Sequence, residues 1–195
     1  SLKIVRQAVA DKLKLKGIYA FESSDRFDID ESIEENIEFI KEYPNQGLFG
    51  MHASLSLSDE SLKKIAAKLN GNGIHIHVAE SKMDEDDCLD KYGMRVVERL
   101  EKYNLLNEKS LLVHCTYIDE AEMDIIKKHN CTIAVNVTSN LNNAVGISKI
   151  RAFLDKGIRV IAGNDGLIPS MPMEYLNIFY LSHLQTKSPV GFGFD

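Results

Sequence analysis

Six short apolar runs alternate along the chain with stretches whose apolar residues recur at helical spacing, and that alternation predicts an α/β fold. The runs occupy 17–21, 47–51, 74–79, 110–113, 132–137 and 158–162. Between them, Ile33, Ile37 and Ile40 mark a helix over 30–43 that Pro44 ends. Leu62, Ile65, Ala66 and Leu69 share one face of a helix for which Ser58 is the expected N-cap. Val96, Val97, Leu100 and Tyr103 mark another, and Asp119 with Glu122 reads as a capping box ahead of Met123, Ile125 and Ile126. Helices are also expected near 147–156 and 173–185, whereas the acidic residues 84–87 read as a loop. Every crossover is long enough for parallel pairing, and the runs are apolar enough for a sheet covered on both faces. No GxGxxG follows the first run, which argues against a dinucleotide-binding sheet.

Polar residues cluster where the runs end. His75, His77 and Glu80 close the third run, His114 the fourth, and Asp165 follows the sixth within Gly163-Asn164-Asp165-Gly166. In parallel α/β folds the C-terminal strand ends converge on one rim, where active sites form. Two histidines, a glutamate and an aspartate brought together there suggest metal-assisted hydrolysis: a neutral imidazole holds a divalent metal, and a carboxylate takes a proton from water and returns it to a leaving amine. Each residue also has a plainer reading. His77 and His114 could be hydrogen-bonded core histidines, and Asp165 a turn aspartate. His75 reads as a packing or orienting residue. His52, after the second run, could face a substrate or solvent. Ser139 and Asn140 could donate to a ligand or close a turn. Glu22, Asp25 and Arg26 could form an ion-pair network on the rim.

Composition narrows the field. The 195 residues are 44% hydrophobic with a net charge of -6, enough for one buried core and the wrong sign for a nucleic-acid or anionic-membrane surface. No run approaches the roughly 18 apolar residues of a membrane span, and the N-terminus has no signal-like apolar stretch. Cys88, Cys115 and Cys131 lack metal-site or disulfide spacing, as expected of reduced thiols in a cytoplasmic protein.

Taken in order, FESSDR, MHASLSLSDESL, HIHVAE with YGMRVVERL, LLVHC, VTSNLNNAVG, GNDG and PVGFG resemble the chlorohydrolase and aminohydrolase branch of the amidohydrolase superfamily, SsnA-type aminohydrolases in particular. The resemblance implies a (β/α)8 TIM-type barrel with zinc, or iron, at its C-terminal rim. It places the metal histidine of the barrel's fifth strand on His77, the acid/base glutamate on Glu80, the sixth-strand histidine on His114 and the eighth-strand metal aspartate on Asp165. A fourth-strand histidine that faces substrate falls on His52, and Ser139-Asn140 keep the Ser-Asn pair of a seventh-strand segment. The implied reaction is attack of an activated water on an sp2 carbon bearing an amine, with His114 polarising the substrate and ammonia leaving.

One departure is large. The family's first-strand HxH pair has no counterpart before residue 52. Reading His75-Ile76-His77 as that pair leaves too few units downstream. The intervals of 37 residues from His77 to His114 and 51 from there to Asp165 instead fit one strand-helix unit and then two. The expectation is therefore one partial barrel over 1–195, strands three to eight, without the first two strands and the flanking β-sandwich. Such a chain should hold metal weakly or not at all, since a catalytic zinc generally keeps three protein ligands. Two function classes follow. One is a segment of a metal-dependent amidohydrolase acting on a small cyclic amidine or purine-like compound. The other is a non-catalytic truncated domain that assembles with itself through exposed strand edges, as a homo-oligomer or domain-swapped dimer. A phosphoesterase of the same metal-dependent type is a weaker third.

Overall fold

The computed structural model describes residues 1–167 and 169–190; the last three residues of the PVGFG run lie outside them. A short helix α1 (Leu2–Arg6) continues as a π-helical stretch (Gln7–Lys12), and helix α2 covers Ile29–Glu42. Strand β1 (Phe49–Ala53) leads through a 3-10 turn (Ser54–Ser56) to α3 (Asp59–Leu69) and β2 (Ile74–Val78). Helices α4 (Lys82–Tyr92) and α5 (Val96–Lys102) precede β3 (Leu111–His114). Then come α6 (Glu120–Lys128), β4 (Thr132–Val135), α7 (Val137–Asn142), α8 (Ile150–Asp155), β5 (Arg159–Ala162) and α9 (Met171–Thr186). The five strands form one sheet in the order β1-β2-β3-β4-β5, every neighbour parallel. Ile74, Ile76, Val78, Leu112, Ile133 and Val135 are buried in the main core with residues of the flanking helices.

The first expected strand, 17–21, is not one. Tyr19 and Ser23 make single parallel bridges to Gly47 and Met51. Between them the ladder is interrupted by a side chain. The fully buried Asn36 of α2 accepts from the Phe21 N–H at 3.0 Å and the Gly50 N–H at 3.0 Å, and donates to the Phe21 carbonyl at 2.8 Å. An amide thus supplies the bonds a sixth strand would have made. Gly50 is needed there, since a Cβ on it would sit 2.2 Å from the Phe21 oxygen.

Two further expectations change. The acidic stretch 84–87 lies inside α4, which hides Asp84 and Glu85 where an amphipathic helix would hide apolar residues; the helical period was therefore invisible. The fifth run ends at Val135, and α7 begins at Val137 because the Glu174 carboxylate from α9 accepts from the Val137 and Thr138 N–H groups. The caps at Ser58 and at Asp119–Glu122 form as expected.

Buried ionic groups join the helices. Glu122 accepts from Arg95 Nε at 2.6 Å, from the Val97 N–H at 3.0 Å and from the Asp119 N–H at 3.1 Å, so one carboxylate serves the starts of both α5 and α6. Glu85 lies beside it, 3.4 Å from Arg95 Nη2, and burial together with the Glu122 charge pushes its carboxyl up to about 8. The Arg99 guanidinium, 1% exposed, donates to the Ser54 and Leu57 carbonyls and to Asp59, and lies 3.6 Å from the centre of the Tyr92 ring. At the far edge β5 is covered on one side only: Ile161 is 48% exposed, and α9 exposes Tyr175, Leu176, Tyr180 and Leu184.

Replacing Asn36 with Ala should cost on the order of 3 kcal/mol in urea unfolding, since it orphans buried backbone groups worth roughly 1–3 kcal/mol each; a loss below about 1 kcal/mol would mean water restores the ladder. Because Glu85 is raised from 4.5 to about 8 on folding, it stabilises fully below pH 4.5, and that stability is lost as pH rises through about 8. Glu85→Gln should therefore gain on the wild type between pH 5 and pH 8.5. Parallel stability curves for the two proteins would contradict this.

Candidate active site

Strand β2 turns His75 and His77 to the same face, opposite Ile74, Ile76 and Val78. The His77 Nδ1–H donates to the His52 carbonyl at 2.8 Å. A carbonyl can only accept, so Nδ1 carries a proton, and in the neutral ring the Nε2 lone pair is the one left for the cavity that the ring lines. His75 lies behind it, 6.0 Å between ring centres, with burial holding its imidazole below the ordinary value. On β1 the register slips between Gly50 and Ala53, and the bulge seats His52 5.7 Å from His77.

His114 comes from the least regular backbone in the site. Its partner across the ladder is Val78, so plain alternation would point it at the helices. Instead its φ is +68°, and the Cys115 N–H reaches back to the Val113 carbonyl at 3.0 Å, closing a γ-turn of the strained hand. That brings the His114 ring within 5.6 Å of His77 and its Nε2 to 3.8 Å from Glu80 Oε2. Burial lowers the His114 pKa, against the opposing pull of the Glu80 charge. Ala79 and Asp165 are also left-handed, with φ of +46° and +55°. Ala79 is pinned by its N–H to Asp84 Oδ2 at 2.7 Å and by its carbonyl to the Tyr117 N–H at 3.1 Å. Non-glycine residues held left-handed at three strand ends match the strain that functional sites concentrate.

Asp165 accepts from Ser139 Oγ at 2.7 Å and from the Gly166 N–H at 2.7 Å. Burial pushes its pKa up, but these bonds outweigh it and hold the carboxyl below the ordinary value. His52, His77, Glu80, His114 and Asp165 all line one open cavity of about 340 Å³, together with Arg26, Asp84 and Asn143. Of those last three, Arg26 is expected only in a rim ion-pair network, and Asp84 and Asn143 have no site role in the sequence reading.

Ser139 and Asn140 stand elsewhere. They are 3% and 1% exposed on α7, and their hydrogen bonds run to Asp165, His114, Thr116 and Ser148, so they back the site residues, where the sequence had offered a ligand contact or a turn. Asp25 likewise caps α3, accepting from the Ser58 N–H and from Ser61 Oγ, in place of an ion pair with Arg26.

His77, with its lone pair free, and Asp165 are the donor types a divalent metal takes. Among the described residues, however, no group of three or more His, Cys, Asp or Glu is gathered closely enough to hold one. The residues present fit part of a metal site.

The chain belongs to the amidohydrolase family, whose profile matches residues 2–188. The 5-methylthioadenosine/S-adenosylhomocysteine deaminase of Clostridium tetani is 29% identical over 169 residues, 81% of this chain and 38% of that protein. The 5'-deoxyadenosine deaminase of Methanopyrus kandleri is 31% identical over 140 residues, 71% of this chain and 32% of that protein. An adenosine deaminase from Xanthomonas campestris, solved with bound zinc, superimposes with a TM-score of 0.88 over 95% of this chain and 46% of that one; at 20% identity the likeness is one of fold. The chain therefore spans well under half the length of these two curated relatives, and its five parallel strands correspond to part of a TIM-type barrel.

Ser139→Ala should raise the Asp165 pKa, because it deletes a hydrogen bond to the ionised form. Carboxyl-carbon NMR titration reads this directly, and an unmoved Asp165 would show that the Gly166 N–H alone sets its value.

Proposed function

We propose that the protein to which this chain belongs is a metal-dependent aminohydrolase that deaminates a purine-like or other cyclic amidine. The observation that supports this most is the facing of Glu80 and the His114 Nε2, 3.8 Å apart, across a cavity also lined by His77 and Asp165. The curated relatives are named as deaminases of adenosine derivatives, which agrees with the substrate class. His77 and Asp165 would hold a divalent metal, zinc or iron, with the remaining ligands supplied by parts of the barrel outside this stretch. When bound, that ion supplies Lewis acidity that makes a water acidic near neutral pH.

The chain's own residues handle the protons. Glu80 takes a proton from the attacking water and delivers it to the departing amine. His114 fixes the water or the substrate atom beside it. Asp165 is held ionised by Ser139 and Gly166 and can accept a hydrogen bond or a proton from the water. His52, Arg26 and Asn143 line the same cavity and would contact the substrate there.

By this reading the stretch alone binds metal weakly. Self-association is the second reading, favoured by the apolar surface that β5 and α9 leave open; sedimentation of the 195-residue chain checks it. Three free thiols are buried, and among the described residues no helix is long and apolar enough to cross a membrane. Cytoplasmic residence belongs to the same proposal.

The test is ammonia release by the full-length protein from adenosine-type nucleosides and other amino-heterocycles. Glu80→Gln should lower kcat by about 100-fold or more, the range of general acid–base catalysis. Undiminished turnover in that variant would remove Glu80 from the chemistry.

A further inference from the structure

Helix α7 puts two side-chain contacts behind the site, Ser139 on Asp165 and Asn140 on His114, and Asn143, just past its end, lines the cavity 3.4 Å from Glu80. Of these, the Asn140 contact is the one whose proton positions follow from its surroundings. His114 Nδ1 lies 2.8 Å from Asn140 Oδ1, and either partner could in principle donate if the amide were turned over. The neighbours decide. Ser148 Oγ gives its only proton to the His114 carbonyl at 2.8 Å, so towards Asn140 it can only accept. Thr116 Oγ1 lies 3.3 Å from the same Ser148 Oγ and, with the Ser148 proton already committed, gives its own proton there, so both hydroxyls accept from the end of the Asn140 amide that faces them at 3.0 and 3.4 Å, which is the NH2 group. That leaves the amide oxygen for the imidazole, which must carry its proton on Nδ1. Asn140, Thr116, Ser148 and His114 are all at least 95% buried, so water is poorly placed to offer an alternative.

We propose that Asn140 is a positioning residue that fixes neutral His114 with its proton on Nδ1, leaving a bare Nε2 lone pair turned to the cavity and Glu80. The chemical consequence is a choice of role. A bare Nε2 accepts a hydrogen bond from the O–H of a water or the N–H of a substrate; it can donate only after it has been protonated. The lock also steadies the strained backbone, since Ser148, one of its members, is bonded to the His114 carbonyl beside the γ-turn. The Nδ1 proton stands on hydrogen bonds alone, and burial of the ring favours its neutral form, whereas the weight of both in turnover rests on the function proposed above.

The experiment uses the full-length protein labelled with 15N in its histidine rings and stripped of metal by a chelator. In the wild type, long-range 1H–15N spectra should show neutral His114 with protonated Nδ1 and bare Nε2. Asn140→Ala should release the ring to the Nε2–H form, and after metal is restored lower kcat by about 10- to 100-fold with a smaller change in KM, the usual cost of losing a partner that orients a histidine. Asn140→Asp, which keeps an acceptor, should keep the proton on Nδ1. A wild-type His114 protonated on Nε2 overturns the proposal, and so does an Asn140→Ala protein with an unchanged ring and kcat. Should Asn140→Ala fail to fold, the wild-type and Asn140→Asp spectra still decide. His114→Phe separates the two claims: full turnover in it would remove His114 from the chemistry while leaving the ring protonation as measured.

Discussion

The site depends on a turn in the backbone at the end of β3. His114 sits in the ladder opposite Val78, and an ordinary strand would bury its ring against the helices. Its positive φ, closed by the Cys115 N–H on the Val113 carbonyl, turns the ring to the other face, where His77 and Glu80 are. A left-handed non-glycine residue costs roughly 1–2 kcal/mol, and the surroundings hold it there. Cys115 donates to Val78, Ser148 donates to the His114 carbonyl, and Asn140 takes the ring proton.

The same device recurs. Ala79, which precedes Glu80, is left-handed and held by Asp84 and Tyr117, and Asp165 is left-handed and held by Ser139 and Gly166. The metal-type histidine is oriented from behind as well, by the His52 carbonyl. The cavity wall is therefore lined by groups whose orientations are set on the far side from any ligand, which is how a site keeps its geometry before substrate arrives.

Buried polar groups replace apolar packing at several joints. Asn36 stands in for a strand, Glu122 caps two helices, and Glu174 starts α7. Each is a residue type ordinarily found on the surface, and each is satisfied by partners far away in the chain. None announces itself in a hydrophobic pattern. This is why 17–21 read as a strand and 84–87 as a loop. Where a helix buries an apolar stripe, as α3 and α6 do, the pattern located it together with its cap.

The sequence by itself determined the parallel α/β order, the rim on which His52, His77, Glu80, His114 and Asp165 gather, and the family, because apolar periodicity and residue spacing are local properties that the chain carries openly. Tertiary structure decided which way those side chains face and which nitrogen of each ring is available, through a γ-turn, a bulge and hydrogen bonds between residues 25 to 34 positions apart. Such bonds depend on which groups meet once the sheet has formed, and no local pattern encodes that meeting.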